Sequence, residues 1–181
     1  MQVLEAIASM NPPYKMLVKG GAASYWYIAL LTGIKIPLKD IDLVLNGSSL
    51  SNIEIAQDFT HRINQLLPDY KFVLLYNEYN IPVKLSSEEI DIDLFVNDEP
   101  IITSIKLQGL PLPKISTLIQ RERQDIENYR FEENYMREEG DMEMADMFKQ
   151  KLDRKVYRLA ILLKIGEELR TKDPDLYRKL F

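Results

Sequence analysis

Residues 16 to 45 read MLVKGGAASYWYIALLTGIKIPLKDIDLVL, and the reading of this stretch decides the fold. An apolar run, Met16 to Val18, meets Lys19 and the pair Gly20-Gly21. Ala22 to Leu31 is almost wholly apolar or aromatic and reads as a helix, with Gly33 as its C-cap. A second apolar run then carries Asp40 and Asp42. Side chains alternate across a strand, so Ile41, Leu43 and Leu45 face one way and Asp40, Asp42 and Val44 the other. Two carboxylates on one face of a sheet need a cation beside them, because unpaired charge is costly when buried. A divalent metal is the simplest such cation.

The glycines point the same way. Glycine permits positive φ and close backbone approach. A helix starting just after them offers free N–H groups to an anion. Carboxylates on the next strand hold Mg²⁺ against that anion. The acidic pattern recurs in Ile90-Asp91-Ile92-Asp93-Leu94, where Asp91, Asp93 and Phe95 share a face. Each part alone has a plainer meaning: a turn for the glycines, a solvated strand face for the aspartates. The combination carries the argument.

The stretch resembles the nucleotidyltransferase superfamily related to DNA polymerase beta. It looks most like the AbiEii-type and MenT-type bacterial toxin branch, in which Lys-Gly-Gly and Thr-Gly precede Asp-Ile-Asp-Leu. The resemblance covers about residues 14 to 97 well and the remainder in outline. Pro37-Leu38-Lys39 stands where many members of that branch have Ser before the first Asp, and Ala22 where Thr usually follows the glycines. The resemblance implies Asp40 and Asp42 as Mg²⁺ ligands (Mn²⁺ being possible), in a site of one or two ions. Asp93 or Asp91 would be the third acid, Asp93 being preferred. Gly20, Gly21, Lys19 and Ala22 would form the nucleotide cradle. It further implies transfer of a nucleoside monophosphate from a nucleoside triphosphate, such as ATP, to a hydroxyl. The acceptor would be an RNA end ahead of a protein, within a toxin–antitoxin setting that allows a partner protein. A small-molecule acceptor such as an antibiotic, a noncatalytic assembly subunit and a generic phosphohydrolase are the alternatives.

Composition narrows the field. The chain has 181 residues, 46% hydrophobic and 28% charged, in the range of a soluble protein with a real core. It has no cysteine, so disulfides and thiolate metal sites are excluded. One histidine, His61, excludes a His-based zinc cluster, and its position off the apolar stripe makes it a surface residue. No stretch resembles a signal peptide or reaches transmembrane length, so a cytoplasmic location without membrane partners is expected. The net charge of −5 argues against a nonspecific nucleic-acid binder.

Around the central stretch the chain predicts an α+β fold. A small mixed sheet with helices, the nucleotidyltransferase core at 1 to 113, is followed by a helical part at 114 to 181. Residues 3 to 10 read as a short helix ended by Asn11-Pro12-Pro13, and Tyr14 to Val18 as the first strand. Tyr25, Trp26 and Tyr27 read as packing residues rather than a base-stacking platform. Ser51 and Glu54 form a capping box, and Ile55, Phe59, Ile63 and Leu66 the buried face of the helix behind it. Lys71 to Tyr76 and Ile81 to Leu85 form a hairpin about a turn at Asn77 to Asn80. Ile101 to Leu110 is a strand or strand pair, followed by the stiff Pro111 and Pro113. Thr117 and Gln120 suggest a second capping box, with Ile115, Leu118, Ile119, Ile126 and Tyr129 behind it.

Residues 121 to 146 hold ten acids and four bases, which predicts exposure and partial disorder near 132 to 143. From Met147 to the end the sign reverses, with ten bases and five acids. Met147, Phe148, Leu152, Val156, Leu159 and Leu163 predict a packed helix over 144 to 171. Lys149, Lys151, Arg154, Lys155 and Arg158 on it either meet phosphates in a cleft between the two parts or form a solvated face. A terminal helix within 173 to 181 would dock through Leu176, Tyr177 and Phe181.

Overall fold

The computed structural model describes residues 2–47, 49–75, 82–101 and 104–181. The fold is α+β, and the chain divides into two compact units. The first comprises Met1–Ala29 and Lys35–Pro113, the second Leu30–Ile34 and Lys114–Phe181.

In the first unit the order is α1 (Gln2–Ser9), β1 (Lys15–Lys19), α2 (Gly20–Thr32), β2 (Asp40–Asn46) and α3 (Asn52–Leu66). A 3-10 turn, Pro68–Tyr70, leads to β3 (Val73–Leu75), β4 (Val83–Ser86), β5 (Asp91–Val96), β6 (Ile105–Leu107) and β7 (Leu110–Leu112). Five strands form a mixed sheet in the order β1-β2-β5-β4-β3, and β6 and β7 form a separate hairpin. Only β2 and β5 run parallel; the other pairs are antiparallel. Parallel neighbours need a long crossover, and α3 with β3 and β4 lies between them in sequence.

Hydrophobic alternation sets the register. Ile41, Leu43, Leu45, Ile92 and Leu94 are completely enclosed, as are Ile55, Phe59 and Ile63 of α3, which packs on β3 and β5. A one-residue slip of β2 would expose three of these side chains and turn Asp40 and Asp42 into the core. Each exchanged aliphatic side chain is worth roughly 1.5–3 kcal/mol, so the slip is strongly disfavoured. Ser51 caps α3 through the expected box, its hydroxyl accepting from the Glu54 N–H.

Several local expectations need correction. α2 starts at Gly20, two residues ahead of Ala22, because Gly20 has φ +61° and turns the chain directly out of β1. Leu66 is exposed and not part of the buried stripe, since α3 ends there. The hairpin of β3 and β4 is present, but Tyr76, the turn at 77–80 and Ile81 lie outside the described residues. Ile101 to Leu110 resolves as the strand pair β6–β7, with the chain reversing through Gln108 (φ 50°) and Gly109 (φ 84°). Tyr25, Trp26 and Tyr27 are buried as packing residues. The Trp26 indole N–H donates to the Leu107 carbonyl (3.2 Å), and the Tyr27 hydroxyl donates to the Pro113 carbonyl (2.8 Å).

The second unit is an antiparallel helical pair, α4 (Ile115–Glu138) and α5 (Met142–Lys172), with a terminal helix α6 (Pro174–Leu180). The Thr117–Gln120 capping box does not form. Ile115 and Leu118 are buried, and the helix begins at Ile115 with Lys114 as an N-cap that makes no side-chain bond. The acidic stretch is helical rather than partly disordered. Arg137 pairs with Glu133 at 3.1 Å and Asp146 at 3.4 Å, Gly140 (φ 82°) makes the turn, and Asp141 caps α5.

The buried face of α5 is rotated from the expected stripe. Ala145, Leu152, Leu162, Ile165 and Gly166 are buried, whereas Val156 and Leu163 are exposed. The cause is ionic. Glu122 of α4 is 2% exposed and draws Lys155 (3.4 Å) and Arg158 (3.3 Å) inward, while Lys155 also contacts Asp125. α6 docks through Leu180, fully buried, and through Phe181, whose ring lies where a Cβ on Gly166 would be.

Candidate active site

The parallel pairing of β2 with β5 places the acids. Asp40 is opposite Asp91 and Asp42 opposite Asp93. In-register residues on parallel neighbours point to the same face, and adjacent strands are about 4.8 Å apart. The structure therefore gathers all four sequence-predicted aspartates on one face, as two rungs. Residues two apart on a strand are separated by about 6.6 Å, so Asp93 is the acid alongside Asp42 and Asp91 the acid alongside Asp40.

The glycine segment meets the lower rung. β1 runs antiparallel to β2 with Lys19 opposite Asp42, and Gly20 follows at the first turn of α2. A Cβ on Gly20 would overlap the Asp42 carboxylate oxygen Oδ2, and its φ of +61° is strained for any side chain. Glycine is thus required there twice over, by conformation and by space. The first turn of α2, whose initial N–H groups have no intrahelical acceptor, starts against that carboxylate and contains no acidic residue. Gly21 is half-buried, whereas Ala22 is fully enclosed and offers no surface to a ligand.

Two further side chains belong to this face. β4 runs antiparallel to β5 with Lys84 opposite Asp93. The Lys84 ammonium lies 2.8 Å from Asp91 Oδ2, and the Ser86 hydroxyl donates to Asp91 Oδ1 at 2.7 Å. These two contacts, Lys84 first, hold the Asp91 carboxyl below the usual carboxylate range. Burial pushes the Asp93 carboxyl up; Lys84 opposes the shift, and the charges of Asp40 and Asp91 add to it. The Lys84 ammonium is itself pushed up by Asp91 above all, with Asp93 and Asp40 contributing. Lys19 is not the lone cation its sequence context suggests. Its Nζ sits 2.6 Å from Glu99 Oε1 and 3.4 Å from the centre of the Phe95 ring.

Lys84, Ser86 and Glu99 were not singled out by the sequence. Val83-Lys84-Leu85-Ser86 alternates cleanly, but nothing in it reveals which acids the polar face will meet. The basic residues of α5 divide. Lys155 and Arg158 are held by Glu122, whereas Lys149, Arg154 and Lys164 are exposed, Lys149 within 3.8 Å of Asp153. Lys151 lies over the rings of Tyr129 and Phe148. His61 is a surface residue hydrogen-bonded to Gln65 at 2.9 Å.

All-oxygen donors in two adjacent rungs suit a hard cation such as Mg²⁺. As the side chains stand, no three acidic or histidine groups among the described residues converge tightly enough to hold an ion. Asp91 is turned to Lys84 and Ser86. No helix of the described residues is long and apolar enough to cross a membrane. No family model matches the chain, and neither a curated protein nor a solved structure matches it.

Proposed function

We propose that this chain is a metal-dependent nucleotidyltransferase that moves a nucleoside monophosphate from a nucleoside triphosphate to a hydroxyl acceptor. The observation that carries the reading is the meeting of two in-register acid rungs with a glycine-started helix, Gly20 lying against the Asp42 carboxylate. The resemblance of residues 14 to 97 to nucleotidyltransferases supports the same reading. A phosphohydrolase rarely needs a cradle for a whole triphosphate, which argues for transfer.

In this reading Asp40, Asp42 and Asp93 hold Mg²⁺ or Mn²⁺, which when bound offsets charge on the triphosphate and acidifies the acceptor hydroxyl. The free N–H groups at Gly20 and Gly21 receive phosphate oxygens. The acceptor oxygen attacks the α-phosphorus in line, the bond to the β-phosphate oxygen breaks, and pyrophosphate leaves with that electron pair. Asp93, whose carboxyl burial pushes up, takes the hydroxyl proton. Lys19 reaches phosphate only by leaving Glu99.

For the acceptor, an RNA end ranks ahead of a protein hydroxyl. The support is the exposed basic residues of α5, Lys149, Arg154 and Lys164, which suit a phosphate backbone. A toxin-like role with a neutralising partner protein and a cytoplasmic setting belong to the same proposal. One observation favours a second reading. Lys84 already supplies a cation to the acid face, which suits a noncatalytic binding or assembly subunit that needs no metal.

Incubation with Mg²⁺, each α-labelled nucleoside triphosphate, total RNA and cell lysate separates these readings. Pyrophosphate release with label lost on nuclease digestion is the expected outcome. Label lost only to protease moves the acceptor to protein, and label resisting both digestions moves it to a small molecule. No label from any nucleotide, with Mg²⁺ binding demonstrated, selects the noncatalytic subunit.

A further inference from the structure

We propose that the open edge of the five-stranded sheet at β3, with the cavity beside it, receives an extended basic segment of a partner protein. The sheet order ends at β3, and no described strand pairs with its outer edge. An edge strand presents a row of backbone N–H and C=O groups to any chain lying alongside, and proteins ordinarily blunt such edges with charge, proline or a bulge. β3 is Val73-Leu74-Leu75 in regular register with β4 and has none of these. Val73 is 58% exposed and Leu75 52%, although both sit within a strand. Val73 stands opposite Ser86 and Leu75 opposite Lys84, so the two form an apolar shelf on the face that carries the aspartates.

The cavity points to the same occupant. It encloses about 550 Å³ over that shelf, between the 3-10 turn and the turn that follows β4. Tyr70, stacked on the buried Phe72 at 5.6 Å, walls one side. Asp69, Glu88 and Glu89 line it against a single cation, Lys71, a formal charge of −2. The three acids are exposed, and no ion pair with a described residue engages them. Such a cleft repels a phosphate backbone. It suits a side chain with an aliphatic stem and a cationic head, lysine or arginine. A segment added as a further strand would place alternate side chains on this face, about 4.8 Å from Val73 and Leu75. Its apolar residues cover the shelf, and its cations reach the carboxylates at the Val73 end. Main-chain hydrogen bonds supply affinity, and the alternating side chains supply selectivity. A second copy pairing edge to edge would bring Val-Leu-Leu and no cation, leaving the carboxylates unanswered. The site uses none of Asp40, Asp42, Asp91 and Asp93, so it stands apart from the transfer reading.

The test is fluorescence anisotropy of the full chain with a dye-labelled heptapeptide alternating lysine and valine. Two further probes are a glutamate–valine peptide and the lysine peptide with N-methylated amides on its pairing edge. The lysine peptide should bind, and the other two should bind about tenfold more weakly or worse. Glu88→Gln with Glu89→Gln should weaken the lysine peptide by about fivefold. Val73→Lys should weaken it as well, with melting curves confirming that both variants are folded. No binding of the lysine peptide, equal binding of either other probe, or unchanged binding to either variant overturns the proposal. Dimerisation in sedimentation that Val73→Lys abolishes would assign the edge to a second copy and overturn it too.

Discussion

Asp93 occupies a position where ionisation is costly until a cation arrives. Its carboxyl is raised above the ordinary value, mainly by burial. A carboxyl raised in the folded chain holds its proton more tightly there than in the unfolded chain. Its stabilising contribution is therefore present below the ordinary Asp value of about 3.9 and is lost as pH rises through the raised one. Asp93→Asn should raise the metal-free melting temperature at pH 7, and the gap from wild type should close as the solution is acidified below that ordinary value. Mg²⁺ should raise the wild-type melting temperature and leave that of the variant unmoved. Transfer should fall by roughly a thousandfold or more, since ligand loss removes several kcal/mol of charge stabilisation. An equal Mg²⁺ gain in both proteins would take Asp93 out of the site. At this scale the sequence revealed Asp40, Asp42, Asp91 and Asp93 through strict alternation. It left Asp91 and Asp93 equivalent, because only the register of β2 against β5, and Lys84 on β4, distinguishes them.

The elements of the sheet were legible because each carries one apolar face, and the capping box at Ser51 marked the start of α3. The face of α5 was less legible for an ionic reason. A pattern built on apolar residues counts Val156 and Leu163 as inward and Lys155 and Arg158 as outward. Glu122 reverses this, because a carboxylate that is 2% exposed needs cations beside it. Removing Glu122 takes the carboxylate from the largely buried Arg158 and leaves Lys155 with Asp125 alone, at a cost of up to about 3–5 kcal/mol. Glu122→Ala should therefore shift the chemical denaturation midpoint strongly. Replacing Glu122, Lys155 and Arg158 together with Met or Leu should recover most of the loss. A single variant no less stable than wild type would show that the cluster contributes nothing to holding α4 against α5. The acidic run at 121 to 146 misled for a related reason: its charges are spaced along a helix and interleaved with Arg130 and Arg137, so repulsion does not dissolve it.

For the whole molecule, charge sets the terms on which the proposed RNA acceptor would be met. The net charge is −5, and Lys155 and Arg158 are turned to Glu122 within the second unit. In the proposed reading the exposed Lys149, Arg154 and Lys164 would displace counterions, and each phosphate neutralised contributes about −0.7 to −0.9 to the slope of log affinity against log salt. RNA binding should show a shallow slope, on the order of three ions or fewer. A slope above about five would require a far larger basic surface than these residues provide. The sheet residues end near the prolines at 111 and 113 and charge-rich helical text follows, but composition gives no sign that Leu30–Ile34 belongs with the second unit. The single tryptophan adds a consequence of another kind. Trp26 is nearly enclosed, donates to the Leu107 carbonyl and rides on α2 less than two turns beyond Gly20. It is the chain's own fluorophore, fixed to the helix whose first turn faces the acids. Nucleotide binding at that turn, as proposed, would be followed in real time by ultraviolet emission, with no dye attached. The cysteine-free sequence leaves any introduced thiol free to carry an acceptor dye, so distances from α2 become measurable in solution.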